Sequence, residues 1–556
     1  MNFQGRKKTA FGVRLTASCV SIVIVLLSGC VSDEISSHSI QNKDFRILNQ
    51  IRNMQQAIPA TQDYAPDSFG KSKIIETTTD PNTGKKTVAL TIEEVLTRTL
   101  SGSPEITIVS FEPMLAEQDI TKAAAQFDVT AFSQFNLEQQ DNPVNSIYQP
   151  GQSSGRTLET GIKQKNTAGS QWSMSYAMTR NWDDLSGRTL STRYEPILAF
   201  ELKQPLWRDG WEQANLASLD IAKINYDIAM AGFRGKAEET AAATISAYWQ
   251  LYQTRRDRKI LEELLNKTIE TLTKVQGRRE IDATDVQIKQ TEAYVKTRQA
   301  ALLTADKNIM DAQDQLVRLM ADSRLSLLDE FYIIPASEPS VVIDRLELPK
   351  LLNTAIENNP VMQQARCGIE IADINIRVAK NQALPRLDLM ASARTQALDG
   401  RPEEAQENLA SGDYFSYGMG LSLEYPLGNR TALAESLRKR IERRKAITEL
   451  KNLTEKLTVL IRERLRSLET NYAQIQIQAQ AAEAAAAQLQ VLDEVELVRE
   501  QLTPEFLMVK LQAQETLANA QIAHTKAIAD FNIALAELAK LTGTVLRMQQ
   551  VEKSLP

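Results

Sequence analysis

The 556 residues contain only two histidines, His38 and His524, and three cysteines, Cys19, Cys30 and Cys367. That scarcity excludes whole classes of chemistry. A structural zinc site takes about four Cys or His ligands, and the chain has neither a CxxC pair nor an HExxH helix. Three cysteines cannot build a disulfide framework. A Ser-His-Asp triad would have to recruit His524, which lies in a helical pattern and reads as an ordinary helix residue. No glycine loop for phosphate and no nucleophile motif stands out. Gly and Pro, at 22 and 18 residues, make up about 7% of the chain against roughly 12% in average usage, which biases it towards helix. Acids and bases nearly balance, 70 against 64 for a net charge of −6. A nucleic-acid binder would carry a basic footprint instead. Beyond the first 29 residues no run reaches the ~18 apolar residues of a spanning helix.

The N-terminus is basic (Arg6, Lys7, Lys8, Arg14), then apolar over LTASCVSIVIVLL (15–27), then Leu27-Ser28-Gly29-Cys30. This is the three-part order of a signal peptide, and its apolar run falls short of the ~20 residues that span a bilayer. The last four residues resemble the bacterial lipobox. The resemblance implies that 1–29 is removed and that Cys30 becomes the mature N-terminus, carrying a diacylglycerol and an N-acyl chain such as palmitate. Loss of four positive charges then takes the net charge from −6 to −10. By the same resemblance Val31, where an Asp would retain a lipoprotein at the inner membrane, favours the outer membrane. Cys367 is left with no partner except the lipidated Cys30 and reads as a small buried helix residue. Residues 30–89 are polar, poorly periodic and turn-rich, and read as a tether with room for a short helix over 43–57.

From residue 90 the chain repeats itself. LTIEEVLTRTLSGSPEI begins at Leu90 and LELPKLLNTAIENNPVM at Leu346. Each reads as a short amphipathic helix, a polar break, and a proline (Pro104 or Pro360) opening a second helix, where its missing N–H costs nothing. Each second helix runs into a stretch alternating at period two, FDVTAFSQFNLE (127–138) and ALPRLDLMASAR (383–394). A returning stretch ends in Pro-Leu, ILAFELKQPLW (197–207) and YGMGLSLEYPLG (417–428). Phe127, Val129, Ala131, Phe135 and Leu137 share one face of the first strand, and Leu198, Phe200 and Leu202 one face of its return. Very long proline-free helices follow, about 211–279 and 430–500. At 1.5 Å per residue each spans about 100 Å, which suits a coiled coil. Turn-backs at Thr284 and Pro504 send helices back to about Met320 and Leu541. In the first copy, two shorter helices placed end to end, 104–126 and the returning one, could then flank the long helix. The first copy carries about 35 extra residues between its strands, including TLETGIKQ and QWSMSYAMTRNW, a further hairpin signal with Trp172, Met174, Tyr176 and Met178 on one face. The repeat boundaries read as 90–325 and 346–545, joined by a linker at 326–345 and followed by a tail at 546–556.

This order resembles the TolC-type outer-membrane efflux factor family over roughly 90–545. The features that carry it are the paired SPEI and NNPV helix starts, the Gln204-Pro205-Leu206-Trp207-Arg208-Asp209-Gly210 motif and its partner Pro426-Leu427, the paired long helices, and the closing FNIALAELAKLTG at 531–543. The resemblance implies a mainly α protein with a small β part. It would be a homotrimer in which each chain gives four strands to one transmembrane β-barrel and its helices to a long periplasmic coiled-coil tube. It implies a lipid-anchored protein of a Gram-negative-type outer membrane, with no cofactor beyond the acyl chains on Cys30, no metal and no enzymatic activity. It would be the passive exit duct of a tripartite efflux or type I secretion system, working with a periplasmic adaptor (membrane fusion protein) and an inner-membrane transporter. The extra residues of the first copy are expected to lengthen its extracellular hairpin, with a larger barrel as the lesser alternative.

In that family acidic rings at the helical tips select and gate. The tips fall at 279–285 and 499–505, and the candidate ring residues are Asp282 and Asp285 in the first copy and Glu500 and Glu505 in the second. Acids at a helix start are equally expected as caps. Neither tip turn has the glycine that the family usually places there. A periplasmic adaptor and a structural coiled-coil envelope lipoprotein are the competing readings. An adaptor usually has one helical hairpin, and a tether has no need of amphipathic strands.

Overall fold

The structure is a computed structural model. It describes residues 77–79 and 86–548 apart from 147, 186, 188, 323, 326–330, 342–345, 499, 500 and 502. The signal segment, Cys30 and most of the tether lie outside the described residues.

Chain order gives β1 (Thr77–Thr79), β2 (Lys86–Leu90), α1 (Ile92–Gly102), α2 (Pro104–Ala124), β3 (Thr130–Asp141), β4 (Gln152–Lys165), β5 (Gln171–Asp183) and β6 (Thr192–Pro205). Then come α3 (Glu212–Asn215), α4 (Ala217–Gly277), α5 (Asp285–Met320) and β7 (Phe331–Pro335). The second copy follows with α6 (Leu348–Asn358), α7 (Pro360–Gln382), β8 (Arg386–Gln396), α8 (Pro402–Ser411), β9 (Phe415–Glu424), α9 (Arg430–Val498), α10 (Pro504–Thr542) and α11 (Val545–Met548).

Local chemistry sets these boundaries. Thr91 and Glu94 form a reciprocal capping box at the start of α1, satisfying two backbone donors that have no partner inside the helix. The Asn359 side chain accepts from the backbone of Val361 and Met362 ahead of α7, whose first residue is Pro360. Helix α10 stops at Gly543, whose φ of 67° a side chain would resist, and where a Cβ would meet the Asn358 carbonyl at 2.6 Å.

The duplication is visible in the packing. Helix α4, 61 residues long, runs beside α2 and α5, of 21 and 36 residues. Helix α9, 69 residues long, runs beside α7 and α10, of 23 and 39. So two shorter helices do flank each long one. Leu457, Ile461, Leu468 and Ile475 are buried on α9 against Phe531, Ala534 and Leu538 of α10. Their spacing is the near-seven-residue repeat of a coiled-coil seam.

Strands β1, β2 and β7 form a small sheet in which β2 pairs antiparallel to β1 and parallel to β7. The segment read as the end of the tether and the segment read as a linker are therefore stitched together. The buried Tyr248 of α4 reinforces the join: its hydroxyl donates to Leu90 O at 3.1 Å and accepts from Ser337 N at 2.9 Å.

The second sheet has six strands in the order β3-β4-β5-β6-β8-β9, every pair antiparallel. Four strands per chain were expected. The additional pair, β4 and β5, is built from the extra residues of the first copy. These residues do not extend a distal loop; they make two strands of 14 and 13 residues inside the sheet. The alternation over 157–164 and 171–182 was legible, but its apolar side fits only if it continues the sheet face. Strand β3 also starts later than expected. Phe127 lies in a single 3-10 turn at 125–127, and Val129 stands just before the strand.

Candidate functional site: wall, junction and helical tip

The register across the six strands sorts side chains into two faces. One row runs Ala131, Ile162, Met174, Phe200, Ala393, Tyr417, each opposite the next. The adjacent row on the other face runs Thr130, Lys163, Ser173, Glu201, Ser392, Gly418. The first face continues through Phe135, Leu158, Met178, Leu389 and Leu421, and many of its large side chains are exposed. Period-two side chains on a pleated sheet make such segregation possible. An apolar outside and a polar inside are what a bilayer-embedded wall requires. Among the described residues no helix is long and apolar enough to cross a membrane.

On the polar face Phe132 lies over Gly161, where a Cβ would come within 2.8 Å of the ring and 2.5 Å of Met174 O. The Lys163 ammonium stands 5.8 Å from the same ring. Lys203 and Arg386 pair with Asp388 at 3.1 and 3.0 Å near the helix end of the sheet.

The sheet meets the helices at the two Pro-Leu motifs. Pro205 is the last residue of β6, opposite Asp388, and Leu206 N donates to Leu387 O at 2.8 Å. The chain then reverses through Asp209 and Trp211, both at positive φ (63° and 69°). Gly210 lies between them, where a Cβ would stand 2.7 Å from Pro205 O. Gln204 donates to Pro205 O at 2.8 Å, and Asn215 donates to Asp209 O and Trp211 O at 2.9 and 3.0 Å. The end of α7 braces the reversal. Asp209 N donates to Asn381 Oδ1 at 2.8 Å, Arg208 donates to Gln382 Oε1 at 2.9 Å, and Gln382 in turn donates to the Asp209 carboxylate.

The second motif reaches the same place. After Pro426 and the fully exposed Leu427 come Gly428 and Asn429 at φ 91° and 36°, and Asn429 donates to Ala383 O at 2.9 Å. The structure thus gathers both predicted junction motifs around the end of α7. Asn215, Asn381, Gln382 and Asn429 complete the site and were not singled out in the sequence, where lone amides carry no signal.

The turn between β4 and β5 plugs into this junction. Ala168 O accepts from Trp211 N at 3.0 Å, and Ser170 is buried. Gly169 takes φ 88°, and any side chain there would stand 2.5 Å from the Asn215 amide and from Asp209 O. This turn therefore lies on the helix side of the sheet.

At the far end of the long helices, α4, α5, α9 and α10 meet. Val275, Ala283, Ile288, Phe506, Leu507 and Leu511 form a small apolar core there. Around it lie buried polar groups that tie the first helical hairpin to the second. Arg298 of α5, 5% exposed, donates to Leu511 O at 2.9 Å and Gln514 Oε1 at 3.1 Å on α10. It also bonds the Thr268 hydroxyl on α4. Gln514 donates onward to Thr271 at 3.1 Å. Burial lowers the Arg298 pKa from its ordinary value. Lys510 of α10, 3% exposed, pairs with Asp493 and Glu496 of α9 at 2.7 and 2.5 Å, and Glu496 also faces Lys274 of α4 at 3.6 Å. Paired buried charges of this kind are costly to separate.

The four candidate tip acids fare differently. Asp282 is engaged bidentately by Arg278 at 2.8 and 2.7 Å. Asp285 is the first residue of α5, exposed and 3.0 Å from Arg279. Glu505 is exposed in the first turn of α10. Glu500 lies outside the described residues. Thr284 with Gln287, and Thr503, supply the caps of α5 and α10, and no glycine at positive φ lies at either tip among the described residues.

The Outer membrane efflux protein family model matches residues 351–544, from α6 to the end of α10. The chain is thus similar to outer membrane efflux proteins over this stretch. It is 23% identical over 389 residues to the outer membrane efflux protein BepC of Brucella suis, covering 69% of this chain and 80% of that protein. Its fold matches the Campylobacter jejuni CmeC outer membrane channel with a TM-score of 0.58 at 12% identity, over 90% of this chain and 98% of that one. It matches the open state of the Neisseria gonorrhoeae MtrE outer membrane channel with a TM-score of 0.58 at 14% identity, over 82% and 89%. Members of the TolC-type family are trimeric outer-membrane channels that work with an adaptor and an inner-membrane pump.

Proposed function

We propose that this protein is the outer-membrane exit duct of a tripartite efflux or type I secretion system. In this reading it is a homotrimer anchored through acylated Cys30, passing substrate passively from an inner-membrane transporter and periplasmic adaptor to the exterior. The observation that carries it is the sheet. Six antiparallel strands, apolar on one face and polar on the other, stand on helices up to 69 residues long. An adaptor or a coiled-coil tether has no use for such a wall. The family consists of channel proteins rather than enzymes, and the energy for export comes from the partner.

The mechanism follows from the two ends. In the membrane, polar side chains such as Thr130, Lys163, Ser173 and Glu201 line the lumen while the apolar rows meet lipid. At the periplasmic end, Arg298 and the Lys510–Glu496–Lys274 cluster hold the two hairpins of one protomer together and keep the tip narrow. Sliding one hairpin from the other strips Arg298 of its α10 partners, so opening has a defined cost that an adaptor can offset. Asp285 and Glu505, exposed at the tip, supply threefold acidic rings for cations; Asp282, held by Arg278, is the least free to do so. Purified trimer in planar bilayers tests the reading. Discrete cation-selective steps support it, and a soluble monomer without conductance refutes it.

A further inference from the structure

We propose that three copies close a barrel of 18 strands, with β3 of one protomer pairing with β9 of the next. The inference rests on the trimeric duct reading above. Strands β3 and β9 are the two edges of the sheet, with 12 and 10 residues. A free edge within a bilayer leaves unpaired N–H and C=O groups that lipid cannot satisfy, so a second copy of this chain must cover each edge. The directions match. Strand β3 leaves the helices after α2 and β9 returns to them before α9, so a neighbour's β9 set beside β3 is antiparallel, like every other pair in the sheet. The faces match too, because the apolar row ends in Ala131 on one edge and Tyr417 on the other.

Three observations place β4 and β5 in the wall rather than outside it. Strand β4 pairs with β3 from Gln152 to Lys163, and β5 pairs with β6 from Gln171 to Trp182. Leu158 and Ile162 of β4 and Trp172, Met174, Tyr176 and Met178 of β5 continue the apolar face. Their connecting turn is seated in the junction through Ala168 and Gly169.

The helices below agree with the larger count. Four helices per protomer, twelve in all, at about 8–10 Å between axes ring a tube of about 96–120 Å circumference. Strands about 4.8 Å apart and tilted about 35–45° give about 105–122 Å for 18 strands but only about 70–81 Å for 12. The extra hairpin lets the barrel meet the tube at the same width. Its backbone diameter is then about 34–39 Å against about 22–26 Å for 12 strands at that tilt.

Electron cryomicroscopy of the full-length trimer in lipid nanodiscs counts the strands directly. Eighteen strands, with β4 and β5 in the wall, is the expected result. A trimer with a 12-stranded wall and the β4–β5 hairpin folded into the lumen or outside the barrel overturns this proposal alone; absence of any trimer overturns the duct reading beneath it. Labelling gives an independent check in a Cys367→Ala background. Met174→Cys should react with a membrane-soluble maleimide and Ser173→Cys with a charged thiosulfonate, each by at least tenfold over the other reagent. Equal reaction of both with the charged reagent would contradict a place for β5 in the wall.

Discussion

Replacing Arg298 by Met tests the proposal that this residue holds the helical tip shut. In this structure the guanidinium makes two hydrogen bonds to α10, at Leu511 O and Gln514 Oε1. Hydrogen bonds to charged groups contribute about 1.5–3 kcal/mol net. Methionine fills much of the same volume but leaves the Leu511 carbonyl and the Gln514 and Thr268 side chains short of a partner in the closed state only, since water reaches them once the hairpins part. Taking the value of one such bond as the net loss, and tenfold for each ~1.4 kcal/mol, the closed state loses about 10- to 150-fold of its advantage per protomer. Single-channel recordings should therefore show a higher open probability for Arg298→Met with the step size of the open pore unchanged. Lys307→Met is the control, because Lys307 is exposed and pairs only with Asp311 on its own helix among the contacts described. An open probability within twofold of wild type, with unchanged thermal melting, would refute the latch.

Other perturbations follow from the same geometry. Lys510→Ala leaves Glu496, 13% exposed, without its closest cation and should destabilise the tip by about 3 kcal/mol, seen as increased protease cleavage near the tip turns. Gly169→Ala forces a side chain at φ 88° against Asn215 and Asp209. It should cost about 2 kcal/mol or more and lower the melting temperature of the trimer, whereas Gly277→Ala, with nothing within 4 Å of its Cβ, should not. Burial raises the Asp257 carboxyl of α4 to about 6. A folded-state value above the unfolded one means that the ionised form weakens the fold, so stability should rise as pH falls from about 6 towards 4. Asp257→Asn should be more stable than wild type at pH 7 and should lose that rise, as read by thermal melting across this range. Cys30→Ala should abolish labelling by radioactive palmitate yet leave the protein in the outer-membrane fraction, because the strands hold it there; its release into the soluble fraction would show the lipid to be the sole anchor.

The duplicated design was legible because its markers are local. Pro104 and Pro360 open helices, alternation marks strands, and the proline-free stretches mark both long helices, the second almost to its ends and the first starting later, at Ala217. The strand count was misjudged for a topological reason. Residues 157–164 and 171–182 alternate as strands should, but a hairpin spliced between two strands can either prolong a loop or enter the sheet. The deciding contacts, Ala168 to Trp211 and Gly169 against Asn215, connect residues more than 40 positions apart. The small sheet was missed because β2 and β7 are five residues each and pair across the whole first repeat. At the tip, charge runs pointed to the right segment but not to the residues that bind it together. Arg298 and Lys510 look like ordinary charged positions of an amphipathic helix until the second hairpin packs over them. Cys367 was read correctly as a buried helix residue: burial pushes its thiol up to about 11, where little thiolate exists at neutral pH.

The most direct test of the whole account is the conductance of purified, mature trimer in a planar bilayer. Discrete, cation-selective steps that become longer-lived in Arg298→Met are the predicted result. A well-folded trimer that stays silent both as wild type and as Arg298→Met would contradict the claim that this chain forms a conducting duct closed at its helical tip.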